Sequence, residues 1–110
     1  MARINSRAKG RRGQQEAANL MRSRDWSVAE LNAGTAVEDF IVTDPSGKAW
    51  ACEVKNTASI TRAHREQAMR QAKARRLPWM LMSKISGTGS WLVQRQGERP
   101  TTWHEGANDE

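Results

Sequence analysis

Two carboxylates and a lysine fall on one face of a predicted β-hairpin, where they could bind a divalent metal ion. Residues 44–47, Asp-Pro-Ser-Gly, are typical of a type I turn followed by a glycine in the left-handed conformation. This turn sets a register in which Asp39 faces Glu53 across the hairpin, and Lys55 follows on the same face. Facing strand positions lie about 5 Å apart, and like charges there are destabilising. A cation bound by both carboxylates would remove that repulsion.

The other face of the same hairpin is almost wholly apolar, and we expect it to form the core. The predicted register depends on the turn, because a shift by one residue would move Asp39 and Glu53 to different faces. The alternative for this pair is that both acids are ordinary surface residues of a solvated sheet, partly neutralised by Lys55. Asp44 begins the turn, which favours a structural role for its carboxylate. The apolar face carries Phe40, Val42, Trp50, Cys52 and Val54.

The elements that position these residues are predicted to follow the order helix, strands, helix, hairpin. Residues 62–76 contain neither glycine nor proline, and Thr61 is placed to cap them, so they are predicted to form a helix. Alternating or continuous apolar runs predict the strands. The predicted helices span residues 14–24 and 62–76, and the predicted strands span residues 26–31, 37–43, 48–55, 79–85 and 91–95.

A chain of 110 residues is long enough for one domain and too short for two independent cores. We expect a single domain over residues 1–110, with a core over residues 14–95. A basic arm is expected over residues 1–13. The acidic, polar segment over residues 96–110 is expected to be a loose tail.

Charge is distributed in blocks along the chain. Lys and Arg number 18 against 12 Asp and Glu, which gives a net charge of +6. The net charge is +6 over residues 1–24, −4 over residues 25–61, +7 over residues 62–95 and −3 over the last fifteen. Two basic segments around an acidic centre indicate a polyanion-binding surface in which a cation neutralises the carboxylates. The alternative is a solvated surface with uneven charge.

Several classes of protein are excluded by the sequence. No apolar run approaches the ~18 residues that a membrane span needs, and the basic N-terminus is not followed by the apolar stretch of a secretory signal. Cys52 is the one cysteine, so no internal disulfide forms, and no Cys/His cluster has zinc spacing. Two histidines and no Gly-x-Ser-x-Gly motif leave little basis for nucleophile–histidine catalysis. We expect a cytoplasmic protein of a bacterial or phage-infected cell, with no membrane partner.

The acidic residues and the lysine stand in an order that resembles a known superfamily. Residues 9–13, Lys-Gly-Arg-Arg-Gly, precede Glu16 in the first helix, Asp39 opens a strand, and residues 53–55, Glu-Val-Lys, follow. This order resembles the PD-(D/E)XK nuclease superfamily, in particular the small Holliday junction resolvases of archaeal and phage type. The resemblance covers roughly residues 7–85. It implies an α/β fold: a single compact restriction-endonuclease-like domain with a mixed, mainly antiparallel sheet flanked by helices.

The resemblance also implies roles for individual residues. Asp39 and Glu53 would be direct Mg²⁺ ligands, with the Val54 carbonyl as a third and Mn²⁺ able to substitute. Glu16 would complete the acidic cluster through the metal or its water. Lys55 would orient the attacking water and stabilise charge that develops on the phosphate. Gln67 would be the glutamine of the helix after the motif, although Gln71 lies one turn along the same face.

The function implied is a Mg²⁺-dependent DNA endonuclease that acts on branched DNA, namely a Holliday junction resolvase that works as a homodimer. The alternatives are a VRR-type or other PD-(D/E)XK nuclease on linear or flapped DNA, or a non-catalytic nucleic-acid-binding module that keeps the fold. A stripe on the second helix is either part of the DNA footprint or a solubilising face. The predicted phosphate-binding residues are Arg7, Lys9, Arg11 and Arg12 in the arm, and Arg62, Arg65, Lys73 and Arg76 in the second helix.

Overall fold

The computed structural model describes residues 6–30, 40–55, 57, 59–85 and 87–105, apart from the side chains of residues 6–12 and 30. These residues form two α-helices and six β-strands. The helices are α1 (Ser6–Ser23) and α2 (Arg62–Arg75). The strands are β1 (Ser27–Glu30), β2 (Phe40–Thr43), β3 (Ala49–Lys55), β4 (Trp79–Ile85), β5 (Ser90–Arg95) and β6 (Thr101–His104).

The six strands form one sheet in which spatial order follows chain order from β1 to β6. Every neighbouring pair is antiparallel except β3 and β4, which run parallel and are connected through α2. A parallel pair needs such a crossover, because its second strand must start again from the same edge of the sheet. The predicted α/β domain with a mixed, mainly antiparallel sheet flanked by helices is therefore confirmed.

The turn between β2 and β3 has the geometry that its sequence predicts. The Gly47 N–H donates to the Asp44 carbonyl at 2.9 Å, and Gly47 has a φ of +92°, in the region that favours glycine. The resulting register places Phe40 opposite Cys52, as predicted. The hairpin thus fixes which residues of β3 face each side of the sheet.

Asp44 stabilises this turn through its carboxylate. Its Oδ1 accepts hydrogen bonds from the Ser46 hydroxyl at 2.6 Å and the Lys48 N–H at 2.9 Å, and its Oδ2 accepts from the Trp50 indole at 3.1 Å. These donors, the Ser46 hydroxyl foremost, hold the pKa of Asp44 well below its usual value. The predicted structural role of this carboxylate is confirmed.

The two helices cover opposite faces of the sheet. The α1 face holds the larger cluster, in which apolar residues of the helix pack on large side chains of the strands. The α2 face holds a smaller cluster that includes Ala51, Ala68 and Leu81. The predicted apolar face of the hairpin lies under α1: Phe40, Val42, Trp50 and Cys52 are buried in its cluster, and Val54 packs against it.

The helix α1 begins earlier than predicted. It starts at Ser6 and runs through Gly10 and Gly13, although these glycines were expected to precede a helix starting at residue 14. Each glycine costs a helix about 1 kcal/mol relative to alanine, which the strong helix formers around it offset. Residues 6–13 are therefore helical rather than an extended arm. No described helix is long and apolar enough to cross a membrane.

The segment after residue 96 is not a loose tail through its whole length. Residues 101–104 form β6, which pairs antiparallel with β5 at the edge of the sheet. Trp103 is buried in the α1-side cluster, and its ring lies 5.6 Å from that of Trp26 in an edge-to-face arrangement. Burial of this indole explains why a short polar segment is held as a strand.

Candidate active site

The second half of β3 carries an ion pair on the α2 face of the sheet. Glu53 Oε1 lies 3.2 Å from Lys55 Nζ. The two residues are neighbours on one face because strand side chains alternate. Glu53 is 6 % exposed and is thus a buried acid, so the alternative of an ordinary solvated surface residue is wrong for this position. The Lys55 side chain is 23 % exposed.

Helix α2 brings a third polar side chain to this pair. Gln67 Oε1 accepts a hydrogen bond from Lys55 Nζ at 2.9 Å. The helix is placed by the burial of Ala68 and Ala72 against β3 and β4. Gln67 precedes Ala68, so the packing that seats the helix also positions the amide beside the lysine. Of the two glutamines considered from the sequence, it is Gln67 rather than Gln71 that contacts Lys55.

The start of α2 is fixed by a reciprocal cap. His64 N–H donates to Thr61 Oγ1, and the Thr61 N–H donates to His64 Nδ1, each at 3.2 Å. This is a capping box with histidine in the place that Glu or Gln usually takes. The half-buried position of His64, and after it the positive charge of Lys55, lower the pKa of the imidazole. The predicted N-cap is confirmed.

Ser83 anchors the loop that leads from β3 to α2. This side chain is fully buried on β4, opposite Lys55 in the parallel register. Its Oγ donates to the Thr57 carbonyl, accepts from the Thr57 N–H at 3.3 Å and lies 3.0 Å from Thr57 Oγ1. Sequence reasoning did not identify this residue. The available signal was a hydroxyl at the end of the apolar run over residues 79–82.

Glu16 lies on the other side of the sheet. It belongs to α1, and its carboxylate is paired with the Lys84 ammonium on β4. Alternation along β4 puts Lys84 on the α1 face with Met80 and Met82, whereas Glu53 points to the α2 face. Glu16 therefore approaches the end of the β-sheet from the opposite face, and the partner that the structure gives it is a lysine.

Of the two acids predicted to form a pair, the structure describes Glu53. Asp39 lies outside the described residues, and its pairing with Glu53 stays a prediction. No group of three or more His, Cys, Asp or Glu side chains that could hold a metal ion occurs among the residues that the structure describes. Val54 is half-buried on the α1 face, and its carbonyl remains the predicted backbone ligand.

The predicted phosphate-binding residues fall into two groups. The side chains of Arg7, Lys9, Arg11 and Arg12 lie outside the described part, although their backbone belongs to α1. On α2, the stripe is not uniform. Arg62 Nε lies 3.0 Å from Glu66 Oε1 on the surface, and Arg65 donates to the Ile60 carbonyl at 3.5 Å. Lys73 and Arg76 are exposed at the C-terminal end of the helix.

Comparisons with known proteins place the fold. No protein-family model matches the chain, and no curated protein matches it in sequence. Among solved structures, the chain is similar to Hjc of Archaeoglobus fulgidus, a Holliday junction resolvase from an archaeal hyperthermophile. The TM-score is 0.60 at 16 % sequence identity, over 88 % of this chain and 84 % of that one. The sheet and helices described above are therefore those of a known fold, the one that this archaeal resolvase adopts.

Proposed function

We propose that this chain is a metal-dependent endonuclease of the PD-(D/E)XK type that hydrolyses phosphodiester bonds in branched DNA. The observation that carries the proposal is the Lys55 ammonium held between the buried Glu53 carboxylate and the Gln67 amide. The shared fold with an archaeal Holliday junction resolvase supports the four-way junction as substrate.

The donor set at this site fits a hard divalent cation. Glu53 is a buried carboxylate, and the residues proposed to complete the site, Asp39 and the Val54 carbonyl, also offer oxygen atoms, the ligands that Mg²⁺ prefers. Mn²⁺ accepts the same ligands and is expected to substitute. When bound, such an ion supplies Lewis acidity and lowers the pKa of a coordinated water.

The residues of the chain supply position and charge. Lys55 is proposed to donate hydrogen bonds to the attacking water and to stabilise negative charge that develops on the phosphate. Gln67 Oε1 accepts a hydrogen bond from Lys55 Nζ, and this contact fixes the direction of the ammonium. Glu16 is proposed to act at the margin of the site through water, while Lys84 balances its charge. The predicted phosphate-binding residues are proposed to hold the DNA backbone: Arg7, Lys9, Arg11 and Arg12 at the start of α1, and Arg62, Arg65, Lys73 and Arg76 in and directly after α2.

A four-way junction has two equivalent strands to cut, so a symmetric pair of active sites suits it. We propose a homodimer for this reason, since two-fold dimers are the commonest closed assemblies.

The test is cleavage of end-labelled DNA with Mg²⁺, comparing a four-way junction, a linear duplex and a single strand. Glu53→Gln removes the charge at constant shape, and Lys55→Met keeps the aliphatic stem. Each is expected to lower the cleavage rate about 10²–10³-fold, the range for loss of one preorganised charge-stabilising group. Lys48→Met is the matched control, because Lys48 is an exposed lysine at the turn of the same hairpin.

Symmetric nicks on the junction that both site variants lose would support the resolvase. Cutting of linear or single-stranded DNA with the same dependence would keep the nuclease and replace its substrate. Binding without cleavage, equal in all variants, would contradict catalysis and favour the non-catalytic binding module.

A further inference from the structure

A groove of about 580 Å³ runs beside α2, and neither Lys55 nor Gln67 lines it. Its floor is apolar: Met69, Leu77 and Trp79 line it, and the rim carries the cations Arg70 and Lys73. Met69 is 50 % exposed and is the exposed large hydrophobic residue of the described chain. A groove with an apolar floor and a charged rim suits a ligand that has both an apolar and a charged part. Glu66 and Gln96 complete the lining.

The charge of α2 restricts what could occupy the groove. The helix carries five cationic side chains and one acid, and that acid, Glu66, is paired with Arg62. A second copy of the chain that docked by the same helix would bring like charges together at the contact. A polyanion complements the rim, and an aromatic or apolar group is needed for the floor. Nucleotides combine both properties in one unit.

We propose that this groove binds an unpaired nucleotide of the DNA substrate. The base packs on the exposed side chain of Met69, beneath which the largely buried Trp79 closes the floor, and the phosphates of the nucleotide contact Arg70 and Lys73. Packing of a base on a flat apolar surface is tolerant of sequence, because every base has a π-face. This inference rests on the proposed function in one respect, that the substrate is DNA.

The groove and the candidate active site share one helix. Lys73 follows Gln67 by six residues, which is about 9 Å along a helix axis. A strand in the groove would therefore lie within a few nucleotides of Lys55. The inference deepens the proposed substrate class: DNA that exposes unpaired nucleotides beside the scissile bond is preferred to a fully paired duplex.

The test is binding without metal, so that catalysis does not enter. Fluorescence anisotropy in the presence of a chelator would measure the dissociation constants of a short labelled thymidine strand and of a blunt duplex of equal length. Met69→Ala removes the floor contact, and Met69→Leu keeps it. Lys73→Gln removes a rim charge, and Arg22→Gln makes the same charge change at an exposed position on α1, across the sheet.

Met69→Ala is expected to weaken single-strand binding roughly tenfold, the size of one lost base contact, and to leave duplex binding unchanged. Met69→Leu should bind like the parent. Lys73→Gln should reduce the slope of log K against log salt by about 0.7 for the single strand, and Arg22→Gln should not.

Three results would overturn the inference. Equal binding of the single strand by the parent and by Met69→Ala would show that the groove does not bind DNA. If Met69→Ala weakened binding of the single strand and of the duplex equally, the groove would not distinguish unpaired nucleotides from paired ones. A dimer in light scattering that Met69→Ala dissociates would make the groove a contact between copies. Failure of this inference can be told apart from failure of the proposed function, because the binding assay contains no metal and the cleavage assay requires it. Lys55→Met should therefore lose cleavage and still bind the single strand like the parent.

Discussion

The two faces of β3 differ in the size and polarity of what they carry. Towards α1, the strand presents Trp50 and Cys52, which are buried among other large side chains. Towards α2, it presents Ala51 at its start and then Glu53 and Lys55 at its end. The first face is uniform along the strand, whereas the second changes from small and apolar to charged within five residues.

This difference separates the residues that stabilise the fold from those of the candidate site. Burial of large side chains under α1 supplies most of the hydrophobic stabilisation, which scales with apolar area removed from water. Under α2, Ala51 and Ala68 allow the helix to approach closely, so that Gln67 reaches Lys55. The small residues therefore serve the site through the distance they set between helix and strand.

The strongest way to break the α1 face is Trp91→Ala. Trp91 is fully buried on β5, and its indole donates to Glu105 at 2.8 Å. Truncation is expected to lower the free energy of unfolding by about 3–5 kcal/mol, as for other buried aromatic residues. Urea denaturation would measure this loss, with Trp91→Phe as the control that keeps most of the volume. A loss below that of Glu53→Gln would contradict the division between the two faces.

A smaller effect is expected from Ala68→Leu on the α2 face. The added atoms have no room between α2 and β3, and overpacking typically costs about 1–3 kcal/mol. Because the helix must shift away, Gln67 should also lose its contact with Lys55, and cleavage should fall more than the folded fraction does.

Thermal unfolding and cleavage at a temperature where the protein is folded would separate the two effects of Ala68→Leu. Ala74→Leu is the matched control, since Ala74 is an exposed alanine of the same helix and undergoes the same change of side chain. Full activity in a destabilised Ala68→Leu protein would show that the close approach of α2 does not position the site.

Local chemistry made part of this structure predictable from the sequence. Residues 44–47 contain every group that the turn needs, so the register of β2 and β3 followed without knowledge of the rest of the fold. The start of α2 followed from Thr61 for the same reason. Gln67 could be chosen as a candidate only through the family resemblance, because nothing local distinguishes it from Gln71.

Three features that the sequence did not predict depend on packing between residues far apart in the chain. β6 exists because Trp103 is buried across the sheet, which a polar segment does not indicate by itself. Glu16 appeared with Asp39 and Glu53 as one acidic set, but its pairing with Lys84 depends on which face α1 covers. Ser83 supports the loop after Lys55 through contacts 26 residues apart in sequence. Such relations come from topology rather than from any local pattern.

The smallest effect expected is a pH dependence of the unfolding free energy, caused by His64 at the start of α2, on the polar face of the sheet. The pKa of His64 is lowered in the folded protein, by its burial and then by Lys55, so the unfolded chain binds a proton more readily. Stability from the neutral imidazole is therefore present above the ordinary pKa of about 6.5 and is lost as pH falls through the folded value.

His64→Gln keeps an acceptor for the Thr61 N–H at the same capping position and does not titrate. Unfolding free energies of the two proteins should agree near pH 8 and diverge towards pH 5, with the parent becoming the less stable. Parallel curves over this range would mean that Lys55 and the imidazole do not share an environment, and that the polar end of β3 is more open to solvent than its contacts indicate.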